Sequence, residues 1–179
     1  MRNLSLKKIK IISVFGMFAI TFLYHFLYKW LPNPIFSVFL PVNESIWEHM
    51  KMIFSSIISW SIIDYLLLKR NNILYNNFIF QVFLIAFISI PIYLLMYLPL
   101  RSMIGESMIL SISLMFITYV IINIIGYYLL NMREYNLKVF SIIMIVICYI
   151  IFTYLTYNPI HTFLFYDKEE SKYGINDNV

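Results

Sequence analysis

Five stretches of the sequence, each about twenty residues long and nearly free of charge, limit what this chain can fold into more than any other feature. An α-helix rises about 1.5 Å per residue, so roughly 20 apolar residues cross about 30 Å of hydrocarbon. The stretches run from Ile11 to Trp30, Ser45 to Leu68, Asn77 to Leu98, Ser107 to Leu130 and Leu137 to Tyr157. They predict an all-α fold, a polytopic transmembrane bundle of about five helices. Composition points the same way. Of 179 residues 61% are hydrophobic and only 12% charged, with a mean hydropathy of +0.80. That is too little polar surface to coat a soluble globule, whereas a helix in lipid can be apolar all round. Between the first two stretches, Leu31–Val42 holds Pro32, Pro34 and Pro41. It is too short and too broken to span, and is expected to fold back onto the outer surface. The division expected is a helical membrane domain over 1–157 and an extracytoplasmic polar tail over 158–179, whose one apolar patch, Phe163–Tyr166, is too short to cross a bilayer.

Basic residues give the bundle a direction, because Lys and Arg collect in cytoplasmic connections. With the amino terminus in the cytoplasm, Arg2, Lys7, Lys8, Lys10, Lys69, Arg70, Arg133 and Lys138 fall inside. The outer connections then hold mainly Arg101, and the outer tail holds Lys168 and Lys172 among Asp167, Glu169, Glu170 and Asp177. The carboxyl terminus lies outside in this topology, and the plasma membrane is the expected location. Trp30, Trp47, Tyr97 and Tyr157 mark the outer boundary, with Tyr127 and Tyr128 at the inner one. The basic amino terminus resembles a signal peptide, but its apolar run exceeds an ordinary signal core and no A-x-A-like site follows. It reads as an uncleaved first helix. The net charge of +4 and pI near 9.1 form no basic patch, so the partner expected is the lipid bilayer and not nucleic acid. A single cysteine, Cys148, sits in an apolar run and excludes a disulfide framework or thiolate cluster. There is no internal repeat of the kind that builds inverted-repeat transporters.

Ionisable groups are costly inside membranes and are functional candidates by default. All three histidines fall on the outer side: His25 near the end of the first helix, His49 in the first turns of the second, and His161 just beyond the fifth. Glu44 and Glu48 join them at the start of the second helix, and Arg101 and Glu106 lie in the outer loop before the fourth. Three histidines and a carboxylate make an N/O donor set for a divalent metal such as zinc, with His25, His49 and His161 as ligands and Glu48 or Glu44 as the catalytic carboxylate. Histidine here equally suits an acid–base role or interfacial packing. On the second helix, Glu44, Glu48, Lys51, Ser55 and Ser59 share one face. That polar stripe is either a functional face or interhelical packing in which Lys51 pairs with Glu48 or Glu44. Ser45-Ile46-Trp47-Glu48 fits a capping box, with Glu48 reaching back to the free amides. Asn43-Glu44-Ser45 matches a glycosylation sequon close to the membrane. Asp64, near the inner end of the second helix, is placed to snorkel toward Lys69 or Arg70.

Two segments, HFLYKW…PVNESIWEHMK over His25–Lys51 and YNPIHTFLFYD…YG over Tyr157–Gly174, carry PVNES-x-W-E-H and NP-x-H motifs. On these the chain resembles a family of small bacterial multi-pass membrane proteins of uncharacterised function. The resemblance implies a membrane location and a bacterial source, and no reaction. Three classes of function stay open at this level: an accessory protein of the envelope, working as a homo-oligomer or with an envelope partner; a metal-assisted hydrolase at the outer leaflet; and a small transporter or proton-coupled permease.

Overall fold

The computed structural model describes residues 4–175 and 177–178; Arg2, counted above among the basic residues, lies outside them. Six helices form. α1 (Leu6–Trp30), α3 (Ile46–Arg70), α4 (Phe78–Ile104), α5 (Met108–Asn131) and α6 (Lys138–Tyr157) are long and apolar enough to cross a membrane. α2 (Pro34–Phe39) is a short surface helix in the proline-rich stretch. Three two-residue strands, β1 (Tyr166–Asp167), β2 (Lys172–Tyr173) and β3 (Asp177–Asn178), pair antiparallel in that order in the tail.

Local chemistry accounts for the helix ends. Ser5 caps α1 by accepting from the Lys8 amide, so the helix begins before its first unbroken apolar residue. It stops before Pro32, which disfavours helical backbone at Leu31. Asn33 caps α2 through its side-chain oxygen, at 2.9 Å from the Phe36 amide, with Pro34 at the first helical position. α4 runs through Pro91 and Pro99, six residues past the boundary expected at Leu98. Neighbouring helices tolerate the amide that proline lacks, and the stop comes instead at Gly105, whose φ of +80° suits glycine.

α1 packs on α3 and α5, α3 on α4, and α4 on α5, so these four close a ring; α6 lies outside against α4 and α2. The interior holds Tyr93, Tyr119, Phe54, Ile53, Ile57 and Ile122, all fully buried. The exterior is as apolar as the core: Leu95 and Ile109 stand 76% and 77% exposed. An outside of this kind suits lipid, and the chain has the build of a multi-pass membrane protein. At the end of the bundle away from the histidines, Asp64 pairs not with Lys69 or Arg70 but with Lys10 at 2.7 Å, and accepts from Ser13 at 2.5 Å, all three buried. A short side chain that far from the helix end finds a partner across α1 more readily than along its own helix.

Candidate metal centre

His25 sits on the face of α1 that also carries Thr21 and Lys29, one turn apart each. His49 lies in the first turn of α3, and Glu44 immediately precedes the Ser45 cap. Together they form one group. His25 Nε2 is 3.7 Å from Glu44 Oε1, His49 Nε2 is 3.6 Å from Glu44 Oε2, and the three ligand atoms all lie within 4.8 Å of one another. Around a tetrahedral zinc with bonds of about 2.0–2.1 Å, donor atoms stand roughly 3.4 Å apart. The two histidine–glutamate separations exceed that by a few tenths of an ångström.

The ring of His49 is oriented in the manner of a metal ligand. Its Nδ1 lies 3.0 Å from the Ser45 carbonyl, an acceptor only, so Nδ1 carries the proton and Nε2 presents its lone pair to the group. The rings of His25 and His49 are nearly parallel, 6.2 Å apart. Lys29 Nζ donates to Glu44 Oε1 at 2.7 Å, competing for an oxygen that a metal would use.

The tail holds Glu44 in place. Asp167 is fully buried, and its Oδ2 accepts from the Glu44 amide at 2.9 Å while its Oδ1 accepts from the amides of Glu169 and Glu170 at 2.7 and 3.2 Å. Beside it, Asn43 Nδ2 donates to the Gly174 carbonyl at 2.9 Å and the Trp47 amide donates to that of Leu164, also at 2.9 Å. The Trp47 ring stacks on Phe165. Gly174, at φ +54°, lies so close to the Thr156 carbonyl that a Cβ would meet it at 2.5 Å. Asn43 is 4% exposed, so the sequon is sealed in the folded chain. Asp167 escaped the sequence reading because the tail looked merely polar. Its position directly after Phe163–Tyr166, an apolar run that docks, was the available signal.

His25, Glu44 and His49 line a cavity of about 440 Å³ between α1, α3, α4 and α5, roofed by Tyr166–Glu169. Glu106 and Lys168 face them across it. Glu106 receives Arg101 Nε at 2.6 Å together with the terminal guanidinium nitrogen, and Lys168 Nζ approaches its other oxygen at 3.0 Å. Burial alone would raise the Glu106 pKa, but the bonds to Arg101 and Lys168 outweigh it and hold the carboxyl below its ordinary range. Arg101 also lies over the Phe163 ring, so the latch ties the α4–α5 loop to the tail.

The other candidate residues lie apart from this group. The ring of His161 stacks on Tyr173, with centroids 4.4 Å apart. Glu48, 1% exposed, is outside the cavity lining. It accepts from Lys51 Nζ at 2.6 Å, Thr156 Oγ1 at 2.7 Å and the Val42 amide at 3.1 Å. Ser45 does cap α3, but Glu48 reaches back past it to Val42, because Asn43 Oδ1 already takes the Ser45 amide. Lys51 donates further to the Ser37 carbonyl at 2.8 Å and to Thr156 at 3.0 Å. Ser55 accepts from Tyr149 at 3.3 Å, and Ser59 bonds Tyr24 at 2.6 Å. The stripe thus joins α3 to α1, α2 and α6, each member engaged.

The chain matches the model of a family of unknown function, DUF6512, over residues 1–175, and belongs to that family. No curated protein and no solved structure matches it.

Proposed function

We propose, for a member of a family with no assigned reaction, that this chain is a metal-assisted hydrolase of the membrane surface, with His25, Glu44 and His49 as the ligands of a divalent ion such as zinc. The observation that carries this reading is the convergence of these three donors, from α1 and from the start of α3, on the wall of a cavity of about 440 Å³. Two histidines and a glutamate are a donor set that leaves a coordination position open. All three donors line the cavity, so that position would open onto it. Zinc held by such a set would lower the pKa of a bound water to about 7, which would supply hydroxide at neutral pH. That hydroxide would attack an ester or phosphoester in the cavity, and the departing alcohol would take the proton. The Ser45 carbonyl on His49 and Asp167 on Glu44 support the ligands from behind.

The same reading places the site at the outer face of a bacterial plasma membrane. It rests on the excess of Lys and Arg at the opposite end, where Lys7, Lys8, Lys69, Arg70, Arg133 and Lys138 gather. The transporter reading has less support, because Ser55 and Lys51 are fully buried and bonded rather than lining a path.

Metal analysis of purified protein tests the proposal. Wild type is expected to hold about one divalent ion per chain, and His49→Ala and His25→Ala to lose it while still folding. No stoichiometric metal in wild type after incubation with zinc and desalting would remove the reading.

A further inference from the structure

The cavity is larger than an ion needs, and its walls identify what enters the rest. We propose that its ligand is a lipid with a phosphate headgroup, the phosphate lying at His25, Glu44 and His49 and the apolar chain leaving between α1 and α5. This rests on the metal reading above and names its substrate class.

The first argument is the direction of the opening. Phe22 and Phe26 of α1 and Met108 of α5 line the cavity and keep 39%, 40% and 67% exposure. In a helix bundle whose exterior faces hydrocarbon, a wall this open and apolar admits a lipid chain. At the other end, the tail residues Tyr166–Glu169 form a roof. A volume near 440 Å³ lies within the range that encloses a drug-sized ligand, enough for a headgroup and the first part of its chain.

The second argument is charge. Glu44 is the one carboxylate shared by the ion and Lys29. A divalent ion and an ammonium outweigh its single charge by two. The nearby charges cut this surplus to one: Asp167 keeps its charge although three backbone amides bond it, Arg101 and Lys168 exceed Glu106 by one, and Glu169 at the rim takes one away. What remains calls for an anion. A phosphate monoester carries a charge of about −1.5 to −2 at neutral pH and has three free oxygens, so it can reach the ion and Lys29 at once. A carboxylate has only two oxygens to share between the ion and Lys29, and a cationic headgroup would be repelled.

The full chain, purified in a neutral maltoside detergent and loaded with zinc, is titrated with dodecyl phosphate, dodecanol, dodecanoate and inorganic phosphate while its thermal unfolding is followed. Dodecyl phosphate is expected to raise the midpoint saturably, with apparent affinity on the order of tenfold above inorganic phosphate or dodecanoate, and dodecanol to leave it unchanged. The shift should disappear in Lys29→Met and in zinc-stripped protein. It should weaken in Ile112→Trp, which narrows the α5 wall without touching a ligand. Dodecanol acting as strongly as dodecyl phosphate would reduce the site to apolar partition. Equal affinity for inorganic phosphate would make it a free-phosphate site. An absent shift with zinc still bound would overturn the lipid assignment and leave the metal reading standing, whereas absent zinc binding overturns both.

Discussion

At the residue scale, one buried carboxylate in the tail controls the geometry of the candidate centre. Asp167 fixes the Glu44 amide from behind, and its two other amide partners close the turn that roofs the cavity. Asp167→Ala should therefore destabilise the protein by about 3 kcal/mol, since it leaves buried donors unpaired. Metal affinity should fall roughly 10- to 100-fold, the usual effect of removing support behind a ligand. Thermal unfolding in detergent and zinc titration read the two effects separately. Zinc affinity equal to wild type in Asp167→Ala would show that Glu44 holds its place without the tail. His25, Glu44 and His49 were legible as candidates because ionisable groups beside apolar helices need a reason to be there. Which histidine joins which glutamate was not. That choice depends on a hydrogen bond made 123 residues away in sequence, and on the aromatic stacking that holds His161 over Tyr173. Neither leaves a local signature.

At the element scale, the bundle is tied by buried polar contacts as well as by its apolar core. Hydrocarbon thickness made the five long helices readable, because a span must reach its length whatever its neighbours are. The helix ends were less readable. α4 runs on past the boundary expected at Leu98, and Ser5 starts α1 in a stretch that looked like a flanking charge cluster. The polar stripe of α3 makes interhelical contacts: Glu48 and Lys51 connect α3 to α2 and α6 through Ser37 and Thr156. Lys51→Met alone should cost about 3–5 kcal/mol by stranding Glu48, while the double change with Glu48→Gln should recover a large share of that loss. Thermal midpoints of the two single variants and the double variant measure the coupling. Simple additivity would mean the pair is not a unit. The latch of Glu106 with Arg101 and Lys168 works differently because it is partly exposed. Its folded-state pKa is depressed, so its contribution is present above the ordinary carboxylate pKa and is lost as pH falls through the lower folded value. Below about pH 4 the tail should loosen, with faster amide exchange at Tyr166–Glu169. Glu106→Gln should show that faster exchange already at neutral pH and respond less to acid. If acid leaves exchange in the roof unchanged in wild type, the latch does not hold it.

At the scale of the whole molecule, the arrangement is asymmetric from end to end. One end carries the histidines, the cavity and a tail folded onto them; the other carries Lys7, Lys8, Lys69, Arg70, Arg133 and Lys138, with Lys10 and Asp64 paired just inside it. The bias of basic residues is the basis of the proposed direction of insertion. On that topology the site has an outward address, and the outer leaflet supplies its ligand. The chain suits a direct test, because its native cysteine, Cys148, is 8% exposed and lies within α6. Single cysteines in place of Ser171 in the tail and Lys69 at the far end of α3 can be labelled in intact cells with a membrane-impermeant maleimide. Ser171→Cys should react from outside, and Lys69→Cys only after the membrane is opened, while wild type stays nearly silent in both conditions. The reverse pattern would turn the bundle over and move the cavity to the cytoplasmic leaflet. The metal ligands would be untouched by that result, but the lipid phosphate would then have to come from the inner leaflet.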